Sequence, residues 1–243
     1  GAAPLARLRG GLARLGVEVE VEAVARRQPF RDELSAIVDV AGALAGRVAA
    51  ARQAGRLPIV LAGNCNAALG TVTGCGPADT GIVWFDAHGD YNTPETTLSG
   101  WFEGMPLAVI NGQGHADLWR GLGNERAVPE ARTLLAGVRD LDPPERELLA
   151  RTAVTLVEAE AVRRLGLAAA LTPALDALAQ RASSIYLHLD IDARSSPRWR
   201  CLRRSSRRRR DAPTRLVSSP RSLAHRNHPA HRTGRVISHS AGQ

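Results

Sequence analysis

Apolar positions recur along the chain in two rhythms. Leu5, Leu8, Leu12 and Leu15 fall at helical spacing and predict a helix over 4–16, stopped by Gly16. Val17, Val19 and Val21 then alternate with Glu18, Glu20 and Glu22, the pattern of a half-buried strand. Residues 32–54 return to the helical period, opened by Asp32 and closed near Gly55. Apolar runs at Ile59–Leu61, Ile82–Phe85, Thr133–Val138, Val154–Val157 and Ile185–Leu189 are short enough to be buried strands. Helical patterns over 158–166 and 172–182 separate the last two. Apolar strands interleaved with helices argue for an α/β fold, a parallel sheet covered on both faces. Such sheets bind ligands beyond the carboxyl ends of their strands.

At residue 194 both rhythms stop. Residues 194–243 hold 14 arginines against a single acid, Asp211, with four histidines and the run Arg207–Arg210. Residues 1–193 hold 18 arginines and 23 acids, so the formal net charge of +8 hides a mildly acidic body and a basic tail. The chain divides into a globular part, 1–193, and a tail, 194–243, expected to be disordered because like charge is concentrated and apolar residues are few. An arginine-rich tail can also bind nucleic acid or anionic surfaces. No nucleic-acid motif accompanies it, and Trp199 is its one aromatic residue for stacking, so a nucleic-acid partner is not expected.

Length and composition narrow the class further. A chain of 243 residues, 44% apolar, can bury one substantial core. No apolar run approaches the roughly 18 residues that span a bilayer, and Gly1–Pro4 lacks the pattern of a signal peptide. Cys65, Cys75 and Cys201 do not read as a disulfide framework, which points to a reducing, cytoplasmic setting without a membrane partner.

The residues that carry chemistry stand at strand ends. Asp86-Ala87-His88-Gly89-Asp90 directly follows Ile82–Phe85, and an extended backbone would project 86, 88 and 90 to one side. Asp190 and Asp192 repeat the spacing after the last strand. Four carboxylates at one apolar sheet end repel unless cations neutralise them. Oxygen-rich sites with an imidazole suit Mn2+ better than a soft metal. A single aspartate in such a place is ordinarily a cap or turn residue; two spaced sets argue for a metal centre.

These motifs resemble those of the arginase, agmatinase and formimidoylglutamase superfamily of ureohydrolases. The resemblance rests on Val83–Ala108, with Asn92-Thr93-Pro94 and Gly104-Met105-Pro106-Leu107-Ala108 after the central motif, and on Ala62–Gly70, Gly137–Pro143 and Leu189–Asp192. It implies a three-layer α/β/α sandwich, usually homo-oligomeric, and two Mn2+ ions per chain. Asp86 and Asp190 would bridge the ions, Cys65 and Asp90 would complete the first, and His88 and Asp192 the second. The pair would activate a water for attack on the guanidinium carbon of a small guanidino substrate, releasing urea. Asn92, Ser99 and Asp142 would hold the amino-acid end, and Glu103 would carry a proton to the leaving nitrogen.

The departures from the family pattern bear on substrate. Cys65 stands where the family has a histidine; it is either a softer ligand or a buried structural cysteine. Glu103 replaces a second histidine and is either the proton carrier or a solvated loop residue. Trp101 replaces an asparagine, which puts plain L-arginine in doubt. A cysteine at the first ligand position resembles the hydroxyarginine amidinohydrolase branch, which releases hydroxyurea from N-hydroxyarginine. His188 reads as a core histidine or an indirect supporter of the site, and Arg139 as an ion-pair partner or a substrate clamp. Beyond Asp192 the family continues differently. G/C-rich codons from Arg194 onward, read one base earlier, can spell Ala-Leu-Glu-Pro-Pro-Val-Ala, close to that continuation. The expectation is a frameshifted tail, a domain truncated at both ends, and a chain with reduced or no activity. A catalytically dead relative is the other reading.

Overall fold

The computed structural model of the chain describes residues 2–193 and 233–239. Helix α1 (Ala2–Ala13) leads into strand β1 (Glu18–Val24), where valine and glutamate alternate. Asp32 opens α2 (Glu33–Gln53) by accepting from the Ser35 amide at 2.8 Å, which satisfies one of the unpaired donors of the first turn. β2 (Pro58–Leu61), α3 (Ala67–Cys75) and β3 (Thr80–Phe85) follow. After them come α4 (Pro106–Ile110), α5 (Ala116–Gly121), β4 (Thr133–Val138), α6 (Pro143–Leu149) and β5 (Thr155–Glu158). The body closes with α7 (Ala159–Leu165), α8 (Leu167–Ala179) and β6 (Ser184–Leu189), and a further strand, β7, spans Thr233–His239.

All strand pairings among the described residues are parallel, in the orders β5–β4–β3–β6 and β1–β7–β2. β3 and β4 are paired on both sides and buried almost throughout, as their continuous apolar runs require. On one face Ile82, Trp84 and Leu135 share a core with Leu69 and Val72 of α3 and Leu107 and Ile110 of α4. On the other, Val83, Leu134 and Ala136 pack with Leu171 and Leu178 of α8. The result is the expected parallel sheet between helical layers.

Close approach of two helices sets the position of α3. A Cβ on Gly70 would lie 2.4 Å from the Ala41 carbonyl oxygen, and one on Gly74 would lie 2.5 Å from that of Ala45 and 2.6 Å from Cβ of Val48. Only glycine lets α3 lie this close to α2. The sequence reading missed α3 because two glycines and two threonines in nine residues weaken any helical signal. It also missed α4, α5 and α6, each of seven residues or fewer, too short for a hydrophobic period.

Four expectations need correction. The run Ile185–Leu189 is not a fully buried strand: Ile185, Leu187 and Leu189 are half exposed or more, because β6 lies at the edge of its sheet. α8 begins at Leu167 and runs through Pro173, which had suggested a start near 172. α2, contrary to the absence of any long apolar stretch, passes the length and composition of a membrane-crossing helix. Here Ala41, Leu44, Val48 and Ala51 are buried within the fold, and Asp39 binds the amides of Arg27 and Gln28. Finally, residues 233–239 form a strand although no strand rhythm was visible there. Thr233, Val236 and Ile237 are β-branched, and β7 pairs with β1 on one side and β2 on the other. The rest of the expectation for 194–243 lies outside the described residues.

Two measurements check this packing. Gly74→Ala should destabilise the protein by about 1–3 kcal/mol in urea unfolding, since the forced contact outweighs alanine's better helix propensity. Gly46→Ala, on the open face of α2 with nothing within 4 Å of its Cβ, should instead stabilise it by up to about 1 kcal/mol. In hydrogen exchange, amides within 233–239 should be protected along with those of β1 and β2; free exchange there would contradict the β1–β7–β2 ladder.

Candidate metal centre

Because the strands are parallel, β2, β3, β4 and β6 deliver the residues after them to one rim. That rim encloses a cavity of about 500 Å³. All ten candidate residues line it: Cys65, Asp86, His88, Asp90, Asn92, Ser99, Glu103, Asp142, Asp190 and Asp192.

The metal-binding side is built by the ladder and then by a turn. The Asp86 amide still donates to the Ala136 carbonyl at 3.1 Å, and the Asp190 amide to that of Phe85 at 2.8 Å, so both aspartates are fixed as extensions of strands. Beyond Asp86 the backbone does not stay extended, as the spacing argument had supposed. The His88 amide folds back onto Asp86 Oδ1 at 2.8 Å, and Asp90 adopts a left-handed φ of 48°. The turn, rather than a period of two, brings 86, 88 and 90 together. A Cβ on Gly89 would meet Glu145 Oε1 at 2.4 Å, so only glycine fits there. The Asp90 carbonyl accepts from the amides of Leu107 and Ala108, at 3.0 and 3.2 Å. This gives the Gly104–Ala108 stretch a structural role: it anchors the strained residue.

Two groups of potential ligands result: Cys65, Asp86, Asp90 and His188, and Asp86, His88 and Asp192, with Asp86 common to both. Cys65 Sγ lies 3.6 Å from Asp190 Oδ2 and 4.0 Å from Asp86 Oδ2. His88 Nδ1 lies 3.3 Å from Asp86 Oδ1 and 3.3 Å from Asp192 Oδ2. Asp190 Oδ1 accepts from the Asp192 amide at 2.8 Å.

The electrostatics show what the cluster needs. Burial, then the charge of Asp86, pushes the Asp90 carboxyl well above its ordinary range. Burial, then Asp86, also raises Asp192. Burial opposes ionisation of Asp86 too, but the hydrogen bonds and charge of His88 outweigh it and hold its carboxyl below the usual range. Burial and the neighbouring Asp90 and Asp86 push the Cys65 thiol up. Asp90 is 6% exposed, and its Oδ2 has no nitrogen or oxygen partner; His188 Nε2 is likewise buried and unpaired. Carboxylates, imidazoles and a thiol with unsatisfied atoms turned to a common point fit a pair of divalent cations.

The opposite side of the cavity is polar and more open. Asn92 Nδ2 donates to Asp142 Oδ2 at 3.4 Å, and the Trp101 amide donates to Ser99 Oγ at 3.2 Å. Asp142 also stands at the start of α6. Glu103 sits in a single helical turn, 102–104, and burial, then Glu33, raises its carboxyl. Trp101 is exposed at the rim. Arg139 does not reach into the site as a clamp. It donates to the Asp192 carbonyl at 2.5 Å and the Ala193 carbonyl at 3.4 Å, holding the turn after β6.

Two residues were missed in the sequence or read too modestly. Glu145 is buried; it accepts from the Tyr91 amide at 2.9 Å and the Asp142 amide at 3.3 Å, tying the two halves of the cavity together, and burial raises its carboxyl to about 6. Its place three residues after Asp142, at a helix start, was the available signal. His188, read as a core histidine or an indirect supporter of the site, belongs to the first ligand group, and its Nε2 is buried without a hydrogen-bond partner.

A parallel α/β sandwich whose strand ends present two such ligand groups around a shared aspartate has the architecture of a dinuclear metalloprotein. Residues 15–196 match the sequence model of the Arginase family, and the chain belongs to that family. It is 35% identical over 161 residues to the arginase of Bacillus caldovelox, covering 65% of this chain and 54% of that one. It is 30% identical over 178 residues to the arginase of Staphylococcus aureus (strain MRSA252), covering 72% and 58%. The crystal structure of arginase from Bacillus subtilis superposes with a TM-score of 0.69 at 29% identity, over 76% of this chain and 65% of that one. Formimidoylglutamase from Bacillus subtilis shares the fold, at 15% identity and a TM-score of 0.54. The chain spans about half the length of the curated relatives it matches.

The cluster has a signature in stability. Asp90→Asn removes a buried charge while keeping its shape. The metal-free variant should melt at a higher temperature than the metal-free parent, and manganese should raise its Tm less than it raises the parent's, since Asp86, His88 and Asp192 remain. The parent should gain about 2.7 kcal/mol when the ion stands at 100 times its Kd. A lower metal-free Tm for the variant would show that the buried charge is already compensated.

Proposed function

We propose that this chain carries the metal-binding and substrate-orienting parts of a manganese-dependent ureohydrolase acting on a small guanidino compound. The observation that carries the reading is the single cavity lined by all ten candidate residues, with two ligand groups sharing Asp86. Cys65, Asp86, Asp90, Asp190, His88 and Asp192 would hold the ions. When bound, the metal pair supplies the nucleophile by lowering the pKa of water.

The chain's own residues do the rest. The eight acids that line the cavity favour a cationic guanidinium over a neutral urea product. Asn92 and Asp142, already hydrogen-bonded to one another, form a polar edge for an α-amino group, with Ser99 beside them. Glu103, whose carboxyl burial shifts towards the protonated form, is placed to pass a proton to the departing nitrogen. Trp101 at the rim, in place of a small polar side chain, favours a substrate other than plain L-arginine. Together with Cys65 it supports N-hydroxyarginine, with hydroxyurea as the product.

Release of urea and hydroxyurea from L-arginine and N-hydroxyarginine, measured at saturating manganese, tests the proposal. Glu103→Gln should lower kcat by about 10²–10⁴-fold with KM nearly unchanged. Asp142→Asn should raise KM and largely spare kcat, as expected for a residue that binds substrate and transition state alike. Metal-loaded protein that releases neither product would refute the proposed activity.

A further inference from the structure

Cys65 shares its ligand group with a half-buried imidazole on a neighbouring strand. His188 projects from β6 beside β3, where Trp84 of β3 stacks on its ring at 3.6 Å between centroids with the planes 10° apart. Its Nδ1 lies 3.1 Å from the Tyr186 hydroxyl. Stacking fixes the plane of the imidazole and the hydrogen bond fixes its rotation. The remaining nitrogen, Nε2, is shut off from water and has no hydrogen-bond partner, and the imidazole offers a ring nitrogen to a group with Cys65 Sγ and carboxylate oxygens of Asp86 and Asp90, all within 4.8 Å of one another. A histidine serving only the core would leave this nitrogen unsatisfied. Asp90, 94% buried and in the same group, likewise has its Oδ2 without a nitrogen or oxygen partner.

Building on the proposed metal centre, we propose that His188 is a direct ligand of the first metal, joining Cys65, Asp86, Asp90 and Asp190 there. With Nε2 on the ion, Nδ1 carries the proton and donates it to the Tyr186 oxygen, the outer hydrogen bond that orients a ligating imidazole. Trp84 and Tyr186 are then positioning residues. A donor set that adds a thiolate to imidazole and carboxylates is softer than the thiolate-free group of Asp86, His88 and Asp192. The two sites therefore differ in preference: the first takes thiophilic, borderline ions more tightly than the second.

Cobalt(II), added alone to the full metal-free chain, tests this. The loaded protein should show a thiolate-to-cobalt absorption and two paramagnetically shifted, solvent-exchangeable imidazole N–H resonances, one from His88 and one from His188. His188→Phe keeps an aromatic ring against Trp84. It should abolish one resonance and weaken the thiolate-bearing site beyond the roughly 10–100-fold loss that a residue merely orienting a ligand causes. The other site should be little changed. The resonance count in the parent stands even if the variant fails to fold. One imidazole resonance in the fully loaded parent, or an unaltered thiolate titration in folded His188→Phe, would overturn the assignment. Either result with product release intact would leave the proposed activity standing; two cobalt sites with both resonances but no product release would separate the opposite way.

Discussion

Carboxylates crowded at the end of a buried strand are the constraint on which this structure turns. Asp86 and Asp90 are almost wholly enclosed, where an isolated charge is costly and two adjacent negative charges are worse. The protein meets part of this cost with hydrogen bonds from the His88 amide onto the Asp86 carboxylate and from the Asp192 amide onto the neighbouring Asp190. The remainder asks for cations. Much of the surrounding architecture follows from holding these groups apart from water: α3 wedged against α2, the left-handed turn at Asp90, and the tethering of that turn to α4.

The cavity divides its work between rigid and adjustable parts. The ligands stand on strand ends or within one turn of them, where the ladder fixes the backbone. The residues assigned to substrate lie on the loop between Asn92 and Gly104 and at the start of α6. That loop is pinned at its ends, where the Asn92 amide donates to the Gly104 carbonyl at 3.0 Å, and inside by Thr93 and Thr96. Its exposed middle, with Leu98 and Trp101, is free to differ in sequence without disturbing the metal ligands. A change of substrate at constant chemistry would be expected to fall there.

How much of this was legible in the sequence depended on how local the cause was. Strand ends with spaced aspartates are local, so the aspartates that gather at the cavity stood out, and Asn92, Ser99, Glu103 and Asp142, which line it too, stood out through their place in recurring motifs. The route by which Asp86, His88 and Asp90 meet was misread, because a left-handed aspartate leaves no mark that separates it from an extended one. His188 was undervalued for a different reason. Its place in the cluster depends on which strand lies beside β6 and on where Cys65 falls in the fold, neither of which is visible within its own neighbours. Glu145 acts across two loops, and only the fold brings Tyr91 within its reach. The glycines of α3 argued against a helix locally; the packing that requires them is long-range.

The small sheet has an implication for how the chain is made. β1 and β2 never pair with each other; β7 separates them, and it lies more than 170 residues beyond β2 in sequence. At about 5–20 residues per second of synthesis, the two early strands wait roughly ten to forty seconds before their partner leaves the ribosome. During that interval four strand edges carrying valine and isoleucine stand open beside an acidic, half-formed cavity. Glutamates 18, 20 and 22 on β1 then act as guards, because alternating negative charge makes that edge a poor template for a second nascent chain.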